Sequence, residues 1–347
     1  MFSKNLKYHR LKNRMSKKAL AEKIDVSPMA ISNYENGSRK PSMELLQKMA
    51  KVLDIHVSDF LAVRNEDLVF DHGDFRKITT LPVAQQDYVR ESVEEYFNRF
   101  MTIIEILGDY VLPKAPACNA LKLTCDNEVN AALLREHLNL AVDGPIDNLV
   151  EILENKGILV YVCEIDNNKF SGMNGFVNER PYIAINGNMS PERNRPKVVH
   201  ELAHLMFDWP DDMEDAKIEE LATAISGAFL FSKTDAIREL GVRRTTISKD
   251  MVLVAREYGI SMFLLAKRAE LLGIITKSSA KQFYINASAQ GWRKNEPSRI
   301  EAEIPVLFEQ LVYRAINENE ISIQKGAELL KLSYDEISSR CCFDGGE

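Results

Sequence analysis

"VVHELAHLMFDWP", residues 198–210, sets two histidines four apart, with a glutamate directly after the first, inside an otherwise apolar run. On a helix, residues i and i+4 share one face a turn apart, so His200 and His204 can aim two imidazole nitrogens at one ion. Glu201 then stands where it can hold a water at that ion and take its proton. This is the arrangement of a zinc metalloprotease, in which Zn2+ takes a third protein ligand and keeps one position open. Val198, Val199, Leu202, Leu205, Met206 and Phe207 surround the polar groups on several sides of the helix, so part of the set is expected to be buried. A buried carboxylate without a partner is costly, and a cation removes that cost.

The third ligand is sought in "KIEELATAISGAFLF", residues 217–231, as Glu219 or Glu220. Ala222, Ala224, Ser226, Gly227 and Ala228 make this second helix thin enough to approach the first, and "DWPDDMEDA" (208–216) gives the chain room to reverse. Upstream, "GILVYVCEI" (157–165), "FSGMNGFV" (170–177) and "RPYIAIN" (180–186) read as three short strands separated by turn residues. Strands followed by the histidine helix give α+β order. The strand at Tyr182–Asn186 is expected to border the substrate groove, where an extended peptide could add itself as a further strand.

The amino-terminal segment has a different texture. Ser16 can cap a helix with apolar face Leu20, Ala21 and Ile24, and Asp25 can take the left-handed conformation. Ser27 and Pro28 read as cap and first residue of the next helix, Gly37 closes it, and Pro41 with Ser42 starts another through Val52. Helix, tight turn, helix is a DNA-reading arrangement whose second helix enters the major groove by its N-terminal end. That end exposes Ser27, Pro28, Met29, Ser32 and Asn33, while Ala30 and Ile31 face the core. Asn33 is the best base reader, because an amide can pair bidentately with adenine; Lys17, Lys18, Arg39 and Lys40 flank it and are expected at phosphates.

Charge supports that division. Residues 1–62 hold 12 Lys and Arg against 6 Asp and Glu, so a chain of net charge −7 carries a basic head on an acidic remainder of −13, and double-stranded DNA is expected at the head. At 347 residues more than one domain is expected. The longest apolar stretches fall short of the roughly 20 residues that span a bilayer, and the polar start lacks a signal-peptide core, so a cytoplasmic chain without membrane contact is expected. Five cysteines without a CxxC pair read as reduced thiols, with Cys341 and Cys342 in an exposed tail.

The resulting domain reading is 1–62 head, 63–111 linker (63–82) and long bridging helix (83–107), 112–240 the domain with the histidines, and 241–347 a helical C-terminal region. Residues 278–297, "SSAKQFYINASAQGWRKNEP", read as an extended connector. Residues 321–337 echo the head's helix-turn-helix texture without a basic surplus and read as structural. The fold class is mainly α and multidomain, with an all-α head and an α+β domain built on a small three-stranded sheet. Helix-turn-helix proteins usually bind DNA in pairs, so a homodimer is expected.

"GILVYV", "FSGMNGFVNERPYIAIN", "RNRPKVVHELAHLMF" and "EELATAISGAFLF" resemble, in order and spacing, the ImmA/IrrE metallopeptidases over about residues 115–235, and residues 1–62 resemble the Xre-type module often fused in front of them. The resemblance implies a gluzincin-like domain, a zinc ion, and endopeptidase activity against a protein partner, often a repressor or antitoxin in a stress, phage or mobile-element circuit. It also selects Glu219 as the metal-binding carboxylate, since the family's E-x-x-A-x-x-F-A-x-x-F-L run matches Glu219, Ala222, Ile225, Ser226, Phe229 and Leu230. The chain departs from the family at Ala203 (usually Gly), at Ile225-Ser226 (usually Phe-Ala), at Ser232 (usually Pro) and in the lead-in Arg195-Pro196-Lys197-Val198. None of these removes a ligand.

Overall fold

The computed structural model describes residues 2–65, 67–73, 81–167 and 169–341; Cys342 lies outside them. Its helices are α1 (Phe2–Lys12), α2 (Lys17–Lys23), α3 (Pro28–Glu35), α4 (Met43–Leu53), α5 (Val57–Leu61), α6 (Val83–Leu107), α7 (Asn127–His137), α8 (Leu149–Asn155), α9 (Pro191–Met206) and α10 (Asp215–Leu230). They continue as α11 (Lys233–Leu240), α12 (Met251–Glu257), α13 (Met262–Leu271), α14 (Lys277–Ala289), α15 (Leu307–Asn317), α16 (Ile323–Leu330) and α17 (Tyr334–Cys341). The strands are β1 (Phe70–Asp71), β2 (Leu121–Lys122), β3 (Leu159–Cys163), β4 (Gly172–Val177), β5 (Arg180–Asn186) and β6 (Phe207–Asp208). The protein is thus mainly helical and multidomain. It divides into two compact units, one of residues 1–70, 75–111 and 308–347, the other of residues 71–74 and 112–307, so the helical stretch 241–347 is shared between them.

In the first unit, Leu6, Leu20, Ile24, Ile31, Tyr34, Met49, Leu53 and Phe60 form one apolar core. The caps read from sequence are in place: the hydroxyl oxygens of Ser16, Ser27 and Ser42 accept from the backbone N–H of Ala19, Ala30 and Leu45. Asp25 takes φ +58° and Gly37 φ +79°, which turn the chain into and out of α3. Arg10 of α1 reaches Glu35 at the end of α3, its Nη2 lying 3.0 Å from Oε2. The C-terminal pair α16–α17 repeats the α2–α3 pattern: Ser322 caps Lys325 N–H, Lys331 takes φ +56°, Ser333 caps Glu336 N–H, and Ile337 is as fully buried as Ile31.

The second unit holds a four-stranded sheet in the order β1-β4-β5-β3, where three strands were expected. β4 and β5 form an antiparallel hairpin from Gly172↔Ile185 to Val177↔Arg180, closed by Asn178 and Glu179. Both turn residues have positive φ (45° and 65°), which matches the turn twist to the strand twist. β3 pairs in parallel with the other side of β5, from Leu159↔Tyr182 to Cys163↔Asn186. β5 is therefore an interior strand, and the expectation that Tyr182–Asn186 offers a free edge is corrected. The added strand comes from a segment read as linker, whose two-residue length gives no alternating pattern. A second parallel pair, β2 with β6, is too short for the same reason.

α9 lies against β4 and β5 and packs on α10, which also packs on α7. Ala203 and Ala222, each fully buried, keep the α9–α10 contact thin. Ser226, where the family usually has alanine, donates from Oγ to the carbonyl of Pro196 at 2.6 Å and ties the two helices together. Buried Arg135 of α7 donates to the carbonyls of Phe229 at 2.8 Å and of Ala141 and Gly144 at 3.0 Å each, fixing the C-terminal end of α10. Residues 278–289, expected as extended, belong to α14: Ala280, Phe283 and Ala287 repeat at helical spacing and are buried, a stripe masked by the polar residues between them. No helix among the described residues is long and apolar enough to cross a membrane. Cys118, Cys125, Cys163 and Cys341 form no disulfide, and Cys341, expected in an exposed tail, is half-buried at the end of α17.

Burial between aromatic rings, with Lys331 and Lys12 adding to it against Asp59 and Glu95, lowers the His9 imidazole from its ordinary value to about 4. The unfolded chain then takes this proton first as pH falls, so the contribution is complete above pH 6.5 and is lost between there and pH 4. Urea denaturation monitored on the first unit should show a loss of about 2 kcal/mol on going from pH 6.5 to 4.5 that His9→Leu removes. Equal pH slopes in the two proteins would contradict the burial argument.

Candidate functional site

α9 and α10 bring three donors together. The Nε2 atoms of His200 and His204 lie 3.2 Å apart. Glu219 reaches both rings from α10, with Oε2 at 3.1 Å from His200 and Oε1 at 3.1 Å from His204. All three ligand atoms fall within 4.8 Å of one another, and among the described residues this is the cluster able to hold a metal ion. Glu220, the alternative carboxylate, points elsewhere and pairs with Lys217 at 3.0 Å. The donor chemistry fits zinc: two imidazole nitrogens and one carboxylate converge on a common point, and lone pairs this close repel unless a cation or a proton sits among them.

Neighbouring groups orient the set. The Thr223 hydroxyl, one turn after Glu219, lies 3.2 Å from His200 Nδ1 and leaves Nε2 facing the cluster. The Trp209 ring stands 5.6 Å from the His204 ring. Hydrogen bonds from the two histidines hold the Glu219 carboxyl well below the usual carboxylate range, while burial pushes the His200 imidazole down. Both shifts favour the forms that bind metal, an ionised carboxylate and a neutral ring.

Glu201 is buried at 4% exposure. Its Oε2 accepts from Asn174 Nδ2 of β4 at 2.6 Å, and its Oε1 pairs with Lys197 Nζ at 2.6 Å, one helical turn earlier on α9. Burial alone would raise this carboxyl, but the Lys197 ammonium and the two histidines outweigh it and hold the group ionised. Asn174, Lys197 and Thr223 were not singled out in the sequence. Lys197 carried a signal in its i,i+4 spacing to Glu201, and Asn174 in being the one amide of an otherwise apolar and glycine strand.

In the head, Ser27, Pro28 and Met29 stand exposed at the start of α3, with Met29 at 67% exposure. Ser32 and Asn33 follow on the same helix, both half-buried, and Ile31 is fully buried as expected, whereas Ala30 is half-buried against the core. Lys18, Arg39 and Lys40 are exposed. Lys17 is partly spoken for, since its Nζ donates to Ser32 Oγ at 3.2 Å and lies 3.5 Å from Glu35.

Fold and site together show a helix-turn-helix head and a separate metallopeptidase-like domain. Residues 6–60 match the family model of a helix-turn-helix domain, and residues 153–270 match that of an IrrE N-terminal-like domain, so the chain carries an Xre-type head and an IrrE/ImmA-like domain. The HTH-type transcriptional regulator YqaE of Bacillus subtilis (strain 168), itself uncharacterized, is 31% identical over 70 residues, covering 20% of this chain and 60% of the relative. The match thus spans about three fifths of that relative's length. No solved structure matches.

Metal analysis of protein loaded with zinc and desalted should find about one ion per chain in the wild type and in Glu220→Ala, and a loss of at least tenfold in His204→Ala and Glu219→Ala. Retention of the ion by Glu219→Ala would exclude that carboxylate from the site.

Proposed function

We propose that the protein is a DNA-bound zinc endopeptidase that cleaves a protein partner, a repressor or antitoxin, in a stress, phage or mobile-element circuit. The observation that carries this reading is the convergence of His200, His204 and Glu219 beside a buried, ionised Glu201. His200, His204 and Glu219 would hold the ion. When bound, zinc supplies a Lewis acid that lowers the pKa of water and polarises the scissile carbonyl. Glu201 takes the proton of the attacking water and passes it to the leaving amine, and Asn174 Nδ2 and Lys197 Nζ hold its carboxylate while it does so. Thr223 fixes the His200 ring.

A second reading has its own support. Both Glu201 oxygens are already engaged, and Lys197 stands in the lead-in that departs from the family, so the domain could hold zinc or a partner peptide without cutting. Incubating zinc-loaded protein with the product of the neighbouring gene, followed by mass spectrometry, separates the two. New fragments from the wild type and none from Glu201→Gln, with equal zinc content in both, is the expected result. Turnover retained by Glu201→Gln would remove the general-base role, and no fragments from either would favour the non-cutting regulator.

The head reads double-stranded DNA, with Ser27, Pro28, Met29, Ser32 and above all Asn33 toward bases and Lys17, Lys18, Arg39 and Lys40 at phosphates; a homodimer in the cytoplasm is the form proposed. Four phosphate contacts per head correspond to an affinity loss on the order of 100-fold per head, and on the order of 10,000-fold for a bound dimer, between 50 and 200 mM salt. Mobility shifts on the upstream DNA of its own operon should show that dependence, with a slope shallower by about two for Arg39→Ala in the dimer. Binding that ignores salt would rule out the phosphate assignment.

A further inference from the structure

Residues 71–73 are the described part of the first 111 that groups with the second unit, and they lie at the sheet edge beside the candidate site. β5 is paired on both sides and β3 ends the sheet away from β4, so the side of the sheet that borders Glu201 is that of β4, whose Asn174 touches Glu201. The chain's own β1 sits on that edge.

The edge is shaped for a close-lying backbone. A Cβ at Gly175 would run into the Asp71 carbonyl oxygen and come within 2.6 Å of Tyr182 Oη, so only glycine admits the segment. His72 Nδ1 lies 2.7 Å from the same Tyr182 hydroxyl, on a fully buried ring. Asp71 Oδ1 then accepts from Gly73 N–H at 3.0 Å, and Gly73 takes φ +51°. A Cβ at Gly73 would stand 3.0 Å from both oxygens of Asn174. The resident segment thus ends in a tight turn pressed against the side chain that holds Glu201.

We propose that the β4 edge is the docking edge for an extended peptide and that Asp71–Gly73 is its resident occupant, which a partner segment must displace to reach Glu201. The pairing is short, as a displaceable occupant requires, and it persists because its tether keeps its effective concentration high. A competing peptide gains by pairing along more of the six-residue β4. The resident sequence states what the edge accepts: an imidazole-like hydrogen-bonding group over Tyr182, followed by glycine opposite Asn174. This rests on the peptidase reading for its purpose and not for its test, because docking is measured without cleavage.

The probe is a fluorescein-labelled peptide with the sequence of residues 67–74, titrated into full-length zinc-loaded protein carrying Glu201→Gln and followed by anisotropy. Gly73→Val, which drives a side chain into Asn174, should bind the probe at least tenfold more tightly than the parent, and His72→Ala should shift in the same direction by less. A probe carrying the same Gly→Val change should not bind, and Gly175→Ala should bind neither. Hydrogen exchange at residues 173–176 should speed up in Gly73→Val and slow again with probe. Equal probe affinity in parent and Gly73→Val, or unchanged exchange at those amides, overturns the proposal. Tighter probe binding without cleavage of any partner by the Glu201 protein would instead defeat the peptidase reading and leave the docking edge standing.

Discussion

Two imidazole nitrogens 3.2 Å apart, each 3.1 Å from an oxygen of one carboxylate, are what the architecture of the second unit is arranged to hold. Such a grouping repels itself without a positive charge at its centre, so α9 and α10 must be fixed by other means. The fixings are visible. Fully buried alanines let the helices touch, the Ser226 hydroxyl bonds the Pro196 carbonyl, and Arg135 gathers three carbonyl groups at the far end of α10. Each is a directional or steric constraint rather than simple apolar area, which is what a set of donors aimed at one point needs.

The sheet contributes through a single amide. Asn174 links β4 to Glu201, so the strand edge and the reactive carboxylate share one hydrogen bond. Lys197 closes the other side of that carboxylate from within α9. A departure from the family pattern has thereby become a structural partner of the residue on which hydrolysis would depend. Ser226 shows the same thing at a second departed position.

Much of this was legible in the sequence because the relevant periods are long or the residues distinctive. The helix at 83–107, the three longer strands and the caps Ser16, Ser27 and Ser42 lie where pattern and cap chemistry put them. His200 and His204 on one face follow from helix geometry alone, whereas the choice between Glu219 and Glu220 turned on the resemblance, since both lie on the same turn. What escaped has physical reasons. β1, β2 and β6 are two residues long and carry no alternation, α14 hides a narrow apolar stripe among polar residues, and the interior place of β5 depends on pairings far apart in sequence. The partners of Glu201 likewise come from tertiary contact.

The C-terminal pair α16–α17 shares its caps, its left-handed hinge and its buried isoleucine with α2–α3, yet opens its second helix with Tyr334, Asp335 and Glu336, where the head offers Pro28, Met29 and Ala30. Carboxylates at that helix start would push phosphates away. The hinge lysine is drawn inward instead, 2.8 Å from Glu95 and over the Tyr8 ring. One backbone mould therefore serves twice in a single unit, once in the helix-turn-helix head and once as a clasp, and only the side chains on its outer surface tell the two apart.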